Sequence, residues 1–235
     1  MRSSPLLSWA PLVALALVGA TTSGCHSSTE TSGELGDGKF SYECVDTADA
    51  ACADGDLDPP SFPRVLAVGG RFRLGYRDTA QGDFGGFPEQ ASASFVSGSL
   101  TTSFQVLREG QVAFVGHTTI ADEQVVSDFL YFTLVQPRKL AVTQLVQPGV
   151  TAGQIKVGGN ATFRATPTDD TGTTLAGALR YVWAIKTDDT AQVVATTDAT
   201  TATTTVTASA PGTIHLVVQI ENQDVVSDST IEVTP

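Results

Sequence analysis

The side chains best placed to do chemistry in this chain are a run of alternating aspartates, three scattered histidines and a pair of aromatics among glycines. Asp54-Gly55-Asp56-Leu57-Asp58 puts three carboxylates at alternate positions, and such a run in a loop can aim its oxygens at one calcium ion. It lacks the closing glutamate and the loop length of an EF-hand, so a solvated acidic turn stands beside the calcium reading. Asp169-Asp170 and Asp188-Asp189 read as turn acids. His26, His117 and His215 form no His-x-x-x-His pair, and no Cys-x-x-Cys occurs, which leaves a zinc site without support. His117 and His215 read instead as solvated positions on strands. Val96-Ser97-Gly98-Ser99 is not a nucleophile elbow, and no catalytic residue is assigned. Phe84 and Phe87 sit in Asp83-Phe84-Gly85-Gly86-Phe87-Pro88, which reads as a glycine-rich loop. Loop aromatics can dock a partner or stack on a sugar, or they can fold back to cap the end of a sandwich.

The N-terminus begins with Arg2, the only charge before Glu30, and continues into the apolar run Leu12 to Ala20. These are the parts of a secretory signal, and Leu6 to Ala20, interrupted by Pro11, is too short to span a bilayer. Thr22-Ser23-Gly24-Cys25 resembles the lipobox of bacterial lipoproteins, in which small residues precede a cysteine that is acylated and becomes the new N-terminus. Ser23, Gly24 and Cys25 match, whereas Thr22 stands where that family prefers Leu. The resemblance implies lipidation at Cys25, with the membrane as a partner through the acyl chains; an ordinary signal cleaved near Ala20 is the other reading. Lipidation of Cys25 would leave Cys44 and Cys52, and an oxidising compartment favours a small local disulfide over two free thiols. His26 follows the lipid site where the sorting rule of enteric bacteria places Asp for inner-membrane retention, so by resemblance the expected address is the outer membrane or cell surface. Without lipidation it would be the periplasm or the exterior.

The mature chain is long enough for one large or two small domains. Charged residues are only 16% of the chain, while Thr, Ser, Ala, Val and Gly abound, which suits β-sheet better than helix. A net charge of −12 argues against nucleic acid, which needs a basic face.

Residues 25–39, rich in Ser, Thr and Gly, read as a flexible tether, and 40–63 as a disulfide-closed loop segment. From Arg64 onward short alternating runs bounded by Gly, Pro and Asp predict strands. Phe72, Leu74 and Tyr76 share one face and Arg71 and Arg73 the other. Val68-Gly69-Gly70 recurs as Val157-Gly158-Gly159, and Val125-Val126-Ser127-Asp128 as Val225-Val226-Ser227-Asp228. The strand after Gly110 matches the strand after Gly212. Two copies of one fold are therefore expected, at 64–137 and 138–235, the second longer in its middle. Ala161, Phe163 and Ala165, then Tyr181, Trp183 and Ile185, then Ile214, Leu216, Val218 and Ile220 should point inward.

Val157-Gly158-Gly159, Phe163-x-Ala165, Trp183, Ala210-Pro211-Gly212-Thr213 and the final Ser-x-Thr-x-x-Val resemble bacterial Ig-like (BIG2-like) and PKD-like domains. The resemblance covers Leu140 to Thr234, and reaches 64–137 only through the repeat. It implies an all-β chain of two immunoglobulin-like β-sandwich domains in tandem, after a signal peptide (1–24) and the tether. Its implied function is that of a spacer, adhesion or protein-interaction module rather than an enzyme. The alternative is a glycan- or calcium-binding surface protein using Phe84 and Phe87 or Asp54, Asp56 and Asp58, with an unidentified protein or glycan as partner.

Overall fold

The computed structural model describes residues 28–43, 48–52, 61–80, 82, 84–92, 94–98, 102–145, 151–186, 193–196 and 201–235, with the backbone alone at Ser28, Phe84 and 193–196. These residues are all-β apart from one 3₁₀ turn at Ala50–Cys52. The strands are β1 (Ser28–Ser32), β2 (Gly38–Glu43), β3 (Val65–Ala67), β4 (Arg71–Asp78), β5 (Phe84–Gln90), β6 (Val96–Ser97), β7 (Ser103–Val106), β8 (Gly110–Ile120) and β9 (Glu123–Val135). There follow β10 (Lys139–Leu145), β11 (Gln154–Lys156), β12 (Asn160–Thr168), β13 (Tyr181–Ile185), β14 (Val193–Thr196), β15 (Thr203–Ala208), β16 (Gly212–Ile220) and β17 (Val226–Thr234).

The C-terminal copy is two four-stranded sheets, ordered β10-β12-β15-β14 and β11-β17-β16-β13. This is the strand order of an immunoglobulin-like sandwich, with a short first-strand segment crossing to run parallel to the last strand. The N-terminal copy repeats the plan: β2 pairs β4, β4 pairs β7 and β7 pairs β6, while β3, β9, β8 and β5 adjoin in that order. Here β4 also pairs with β5, and β1 adds outside β2, so all nine strands form one curled sheet.

The repeated Val-Gly-Gly marks the same corner in both copies. Val68 N–H donates to the Val135 carbonyl, Gly69 to Val106 and Gly70 to Ala67; Val157 donates to Thr234, Gly158 to Ala208 and Gly159 to Lys156. Gly69 and Gly158 have φ of 87° and 77°, a conformation that costs glycine nothing and a side chain a good deal. The inward faces expected in the second copy are buried, except that Ile185 is half-buried against the core.

Three expectations change. Residues 25–39 are not a flexible tether throughout, because Ser28–Ser32 is an edge strand paired along its length with Lys39–Glu43. Segment 40–63 is not all loop: Phe40 and Tyr42 are fully buried in the first core, so this copy begins near Ser28 rather than Arg64. Period-two Phe40/Tyr42 was too short a signal amid turn formers to read as a strand. The glycine-rich stretch around Phe84 and Phe87 is strand β5, not a loop. Gly86 serves close approach rather than a turn, since a side chain there would strike the His117 carbonyl and the Tyr76 ring.

Tyr76 explains how the first copy dispenses with a core tryptophan. In the second copy Trp183 lies opposite Val218, and its Nε1 donates to the Thr201 carbonyl at 2.9 Å. The equivalent pair in the first copy is Pro88 opposite Gly116, both small. The missing volume comes from the neighbouring sheet position, where Tyr76 replaces the small Ala165 of the second copy. A Cβ on Gly38, Gly86 or Gly116 would run into the Tyr76 ring, so the ring occupies the space that those residues leave. Phe72 centres the rest of this core, with ring centroids of Phe104, Phe114 and Phe132 at 5.5, 5.8 and 5.9 Å.

Gly116→Val, which installs the second copy's residue, should therefore overpack the first core and destabilise it by about 1–3 kcal/mol. Adding Tyr76→Ala should recover part of that loss. Chemical denaturation of the single and double variants checks the coupling; strictly additive losses would refute the volume exchange.

Candidate functional site

The polar groups that matter most to the architecture are three buried aspartates. Asp49 is 2% exposed. Its Oδ2 accepts from the Tyr42 hydroxyl at 2.6 Å, and its Oδ1 from the backbone N–H of Ala51 and of Gly177, each at 2.9 Å. One carboxylate thus joins strand β2, the 3₁₀ turn and a loop of the second copy. Burial, then the Asp49 charge, raises the Tyr42 phenol well above its usual range.

Asp128 is fully buried because of a β-bulge. Gly116 faces Asp128 but His117 faces Val126, leaving Ser127 as the extra residue. Asp128 accepts from Leu35 and Gly38 N–H, each at 2.9 Å, and from its neighbour Phe129 at 2.7 Å, pinning the turn between β1 and β2. Ser127 donates to Asp78, which also holds Ala80 N–H at 2.9 Å. In the second copy the pairing has no such bulge, and Asp228 stays 40% exposed beside Lys186 and His215. Lys186 and, to a smaller degree, His215 hold its carboxyl below the usual carboxylate range.

A cleft of about 1030 Å³ opens where the two copies meet. Gln223 bridges its floor, its Nε2 donating to the Val68 carbonyl at 3.0 Å while its Oε1 accepts from Gln136 at 2.8 Å. Arg71, Arg138 and Arg180 line it. Arg180 pairs with Glu221 at 2.7 Å and Arg138 with Glu109 at 3.4 Å. The Arg71 guanidinium is exposed and, among the described residues, has no side-chain or carbonyl partner. No nucleophile with a base lies among the residues lining the cleft. What they offer is guanidinium and amide donors beside the Glu221 and Asp224 carboxylates, a mixed polar lining.

The residues singled out in the sequence are not brought together here. Cys25, Cys44, Asp54, Asp56 and Asp58 lie outside the described residues, as do residues 1–24 and the side chain of Phe84. Cys52 is buried at the end of the 3₁₀ turn. Phe87 is half-buried on β5 and stacks on the His117 ring at 5.3 Å with 14° between planes. That stack corrects the solvated reading of His117. Its side chain is only 16% exposed, its Nε2 faces Glu89 at 3.1 Å, and its buried Nδ1 has no partner among the described residues. Among the described residues no cluster of three His, Cys, Asp or Glu could hold a metal, and no helix is long and apolar enough to cross a membrane.

Sequence reasoning missed Asp49, Asp78 and Asp128. Nothing local distinguishes them from turn acids, because their partners are backbone amides and hydroxyls set mostly by the fold. Arg71 was visible, on the polar face of its strand.

No protein-family model matches this sequence, and no curated protein matches it. Solved structures similar to the chain include the Escherichia coli adhesin FdeC, at 14% identity over 74% of this chain and 62% of that one, with a TM-score of 0.32. The Yersinia pseudotuberculosis adhesin InvE is similar at 10% identity over 74% and 57%, TM-score 0.32. Domains 4 and 5 of the S-layer protein SbsC are similar at 15% identity over 64% and 77%, TM-score 0.29. The chain thus spans under two thirds of the FdeC and InvE chains. The strand order, not these likenesses, identifies the immunoglobulin-like fold.

Tyr42→Phe leaves the buried Asp49 carboxylate short of one donor, and should cost about 1–3 kcal/mol at neutral pH. The neutral Tyr42 phenol, its pKa raised in the fold, contributes stability in full below the unfolded phenol's value of about 10. That contribution is lost as pH rises through the folded value. Stability should accordingly fall more steeply above about pH 10 in the wild type than in Tyr42→Phe. Equal alkaline slopes in urea titrations would contradict this assignment.

Proposed function

We propose that this chain is an exported, lipid-anchored envelope protein whose immunoglobulin-like copies form a non-catalytic spacer, adhesion or protein-interaction module. The observation carrying this reading is the repeated sandwich plan with a joint built from buried polar contacts. The three buried aspartates among the described residues are spent on architecture: Asp49, Asp78 and Asp128 each hold backbone amides or hydroxyls. In this reading Cys25 carries the lipid, Cys44 and Cys52 form a local disulfide, and the outer membrane or cell surface is the address. Cys52 is buried beside the joint, where a cross-link to the segment following β2 would brace the Asp49 turn.

One observation favours a second reading. The Phe87–His117 stack presents an aromatic pair at the sheet surface, of the kind that packs on a sugar ring. Calcium at Asp54, Asp56 and Asp58 belongs to the same alternative.

Intact-mass and peptide analysis of protein purified from membranes should find acylated Cys25 and a Cys44–Cys52 bond. The protein should turn over no ester, peptide or glycoside substrate. A reproducible turnover abolished by one point substitution would end the non-catalytic reading. Heat of calcium binding abolished by Asp56→Asn, or glycan-array binding abolished by Phe87→Ala, would replace it with the second.

A further inference from the structure

The lipid site and the fold lie closer together than the composition of the N-terminal segment implies. Only three residue steps separate Cys25 from Ser28, the first residue of β1. Three residues reach about 10 Å when extended. Ser28 pairs with Glu43, and Glu43 with Arg73, so two strand spacings, together about 10 Å, carry the chain from β1 to β4. An anchor at Cys25 would therefore lie within about 10 Å of the start of edge strand β1, and keep the β1-β2-β4 face near the bilayer.

The face concerned is distinctive. The residues of β2 and β4 that alternate away from the core are Lys39, Ser41 and Glu43, and Arg71, Arg73, Gly75 and Arg77. β1 contributes Glu30, which pairs with Arg77 at 3.0 Å and with Lys39 at 3.8 Å. Arg73 faces Glu43 at 3.9 Å. Among the described residues, four cations thus meet two carboxylates on this face, in a chain whose net charge is −12, and none of those residues pairs with the Arg71 guanidinium. The second copy shares this property less. At the positions of Arg71, Arg73, Gly75 and Arg77 it carries Asn160, Thr162, Arg164 and Thr166, so its equivalent strand presents one cation where β4 presents three. Away from this face the first copy carries more Asp and Glu than Lys and Arg, so an anionic surface would favour this face over the others and orient the molecule as well as dock it.

We propose that the outer face of β1, β2 and β4 lies against the membrane and binds anionic lipid headgroups through Lys39, Arg71, Arg73 and Arg77. This inference rests on lipidation at Cys25 as proposed above. Short-leash anchoring supplies the high local concentration that a patch of small net charge needs, and the headgroups offer the Arg71 guanidinium a partner that it does not find among the described residues.

The chain's lysines are Lys39, Lys139, Lys156 and Lys186, one on this face and three in the second copy, so amine labelling reads orientation without an added probe. The full-length protein is purified from membranes, the Cys25 peptide is weighed, and the protein is reconstituted in phosphatidylcholine vesicles with or without phosphatidylglycerol. On anionic vesicles, acetylation of Lys39 should fall several-fold relative to protein in detergent, with Lys139, Lys156 and Lys186 unchanged. Arg71→Gln with Arg73→Gln should restore Lys39 labelling while leaving the circular dichroism spectrum intact. Unchanged Lys39 labelling on an acylated protein overturns the docking face alone. Equal protection on zwitterionic vesicles overturns headgroup recognition. An unmodified Cys25 removes the anchor reading and this inference together.

Discussion

Strand β3 pairs with β9 along one side, and its other side presents backbone groups that another strand or water has to satisfy. The second copy supplies that strand. Ala67 N–H donates to the Ala176 carbonyl at 2.8 Å, and Ala176 N–H to the Val65 carbonyl at 3.0 Å. Two residues on, Arg71 and Ala178 exchange both backbone bonds, at 3.0 and 2.7 Å. Gly177, between them, donates to the buried Asp49. Gly70 and Gly177 pass so closely that a Cβ on Gly70 would sit 3.2 Å from the Gly177 Cα. The copies are thus not beads on a string. Ala176 belongs to the first core, and Ala48 and Ala67 to the second, so neither core is complete without the other copy's chain.

The loop that makes this joint is longer in the second copy than its counterpart in the first. Five residues separate β4 from β5, whereas twelve separate β12 from β13. The added length carries residues 174–178 back to the first copy. The copies diverge elsewhere by exchanges of the same economy. Tyr76 against Gly116 does the work of Ala165 against Trp183 and Val218, filling the core from the opposite sheet position. One bulged residue turns the repeated Val-Val-Ser-Asp from an exposed aspartate into a buried clamp on the β1–β2 turn. Each of these two exchanges follows from one residue's volume or register, while the strand order is kept.

Much of the fold was legible in the sequence because alternation survives wherever one face is buried. Phe72, Leu74 and Tyr76, and Ile214, Leu216, Val218 and Ile220, were assigned their faces from spacing alone. The Val-Gly-Gly repeat located the same corner twice because only a positive-φ residue suits it. What failed was reading glycine and serine as loop. Gly86 allows close approach within a strand, and Ser28–Ser32 is an edge strand whose partner, not its composition, makes it one. The candidate site was less legible. Asp49, Asp78 and Asp128 take their roles from backbone amides and hydroxyls, some more than ninety residues distant in sequence, which leaves no local pattern. His117 was read as solvated because alternation reports which face a residue occupies, and says nothing of a ring from the next strand lying over it.

The central claim is that the two immunoglobulin-like copies are one mechanical unit, held by strand addition at β3 and by the Asp49 carboxylate. Scanning calorimetry of the full chain and of Asp49→Ala tests it most directly. The intact chain should unfold in one cooperative transition, and Asp49→Ala should separate it into two. Two independent transitions in the intact chain, unaffected by Asp49→Ala, would contradict the account.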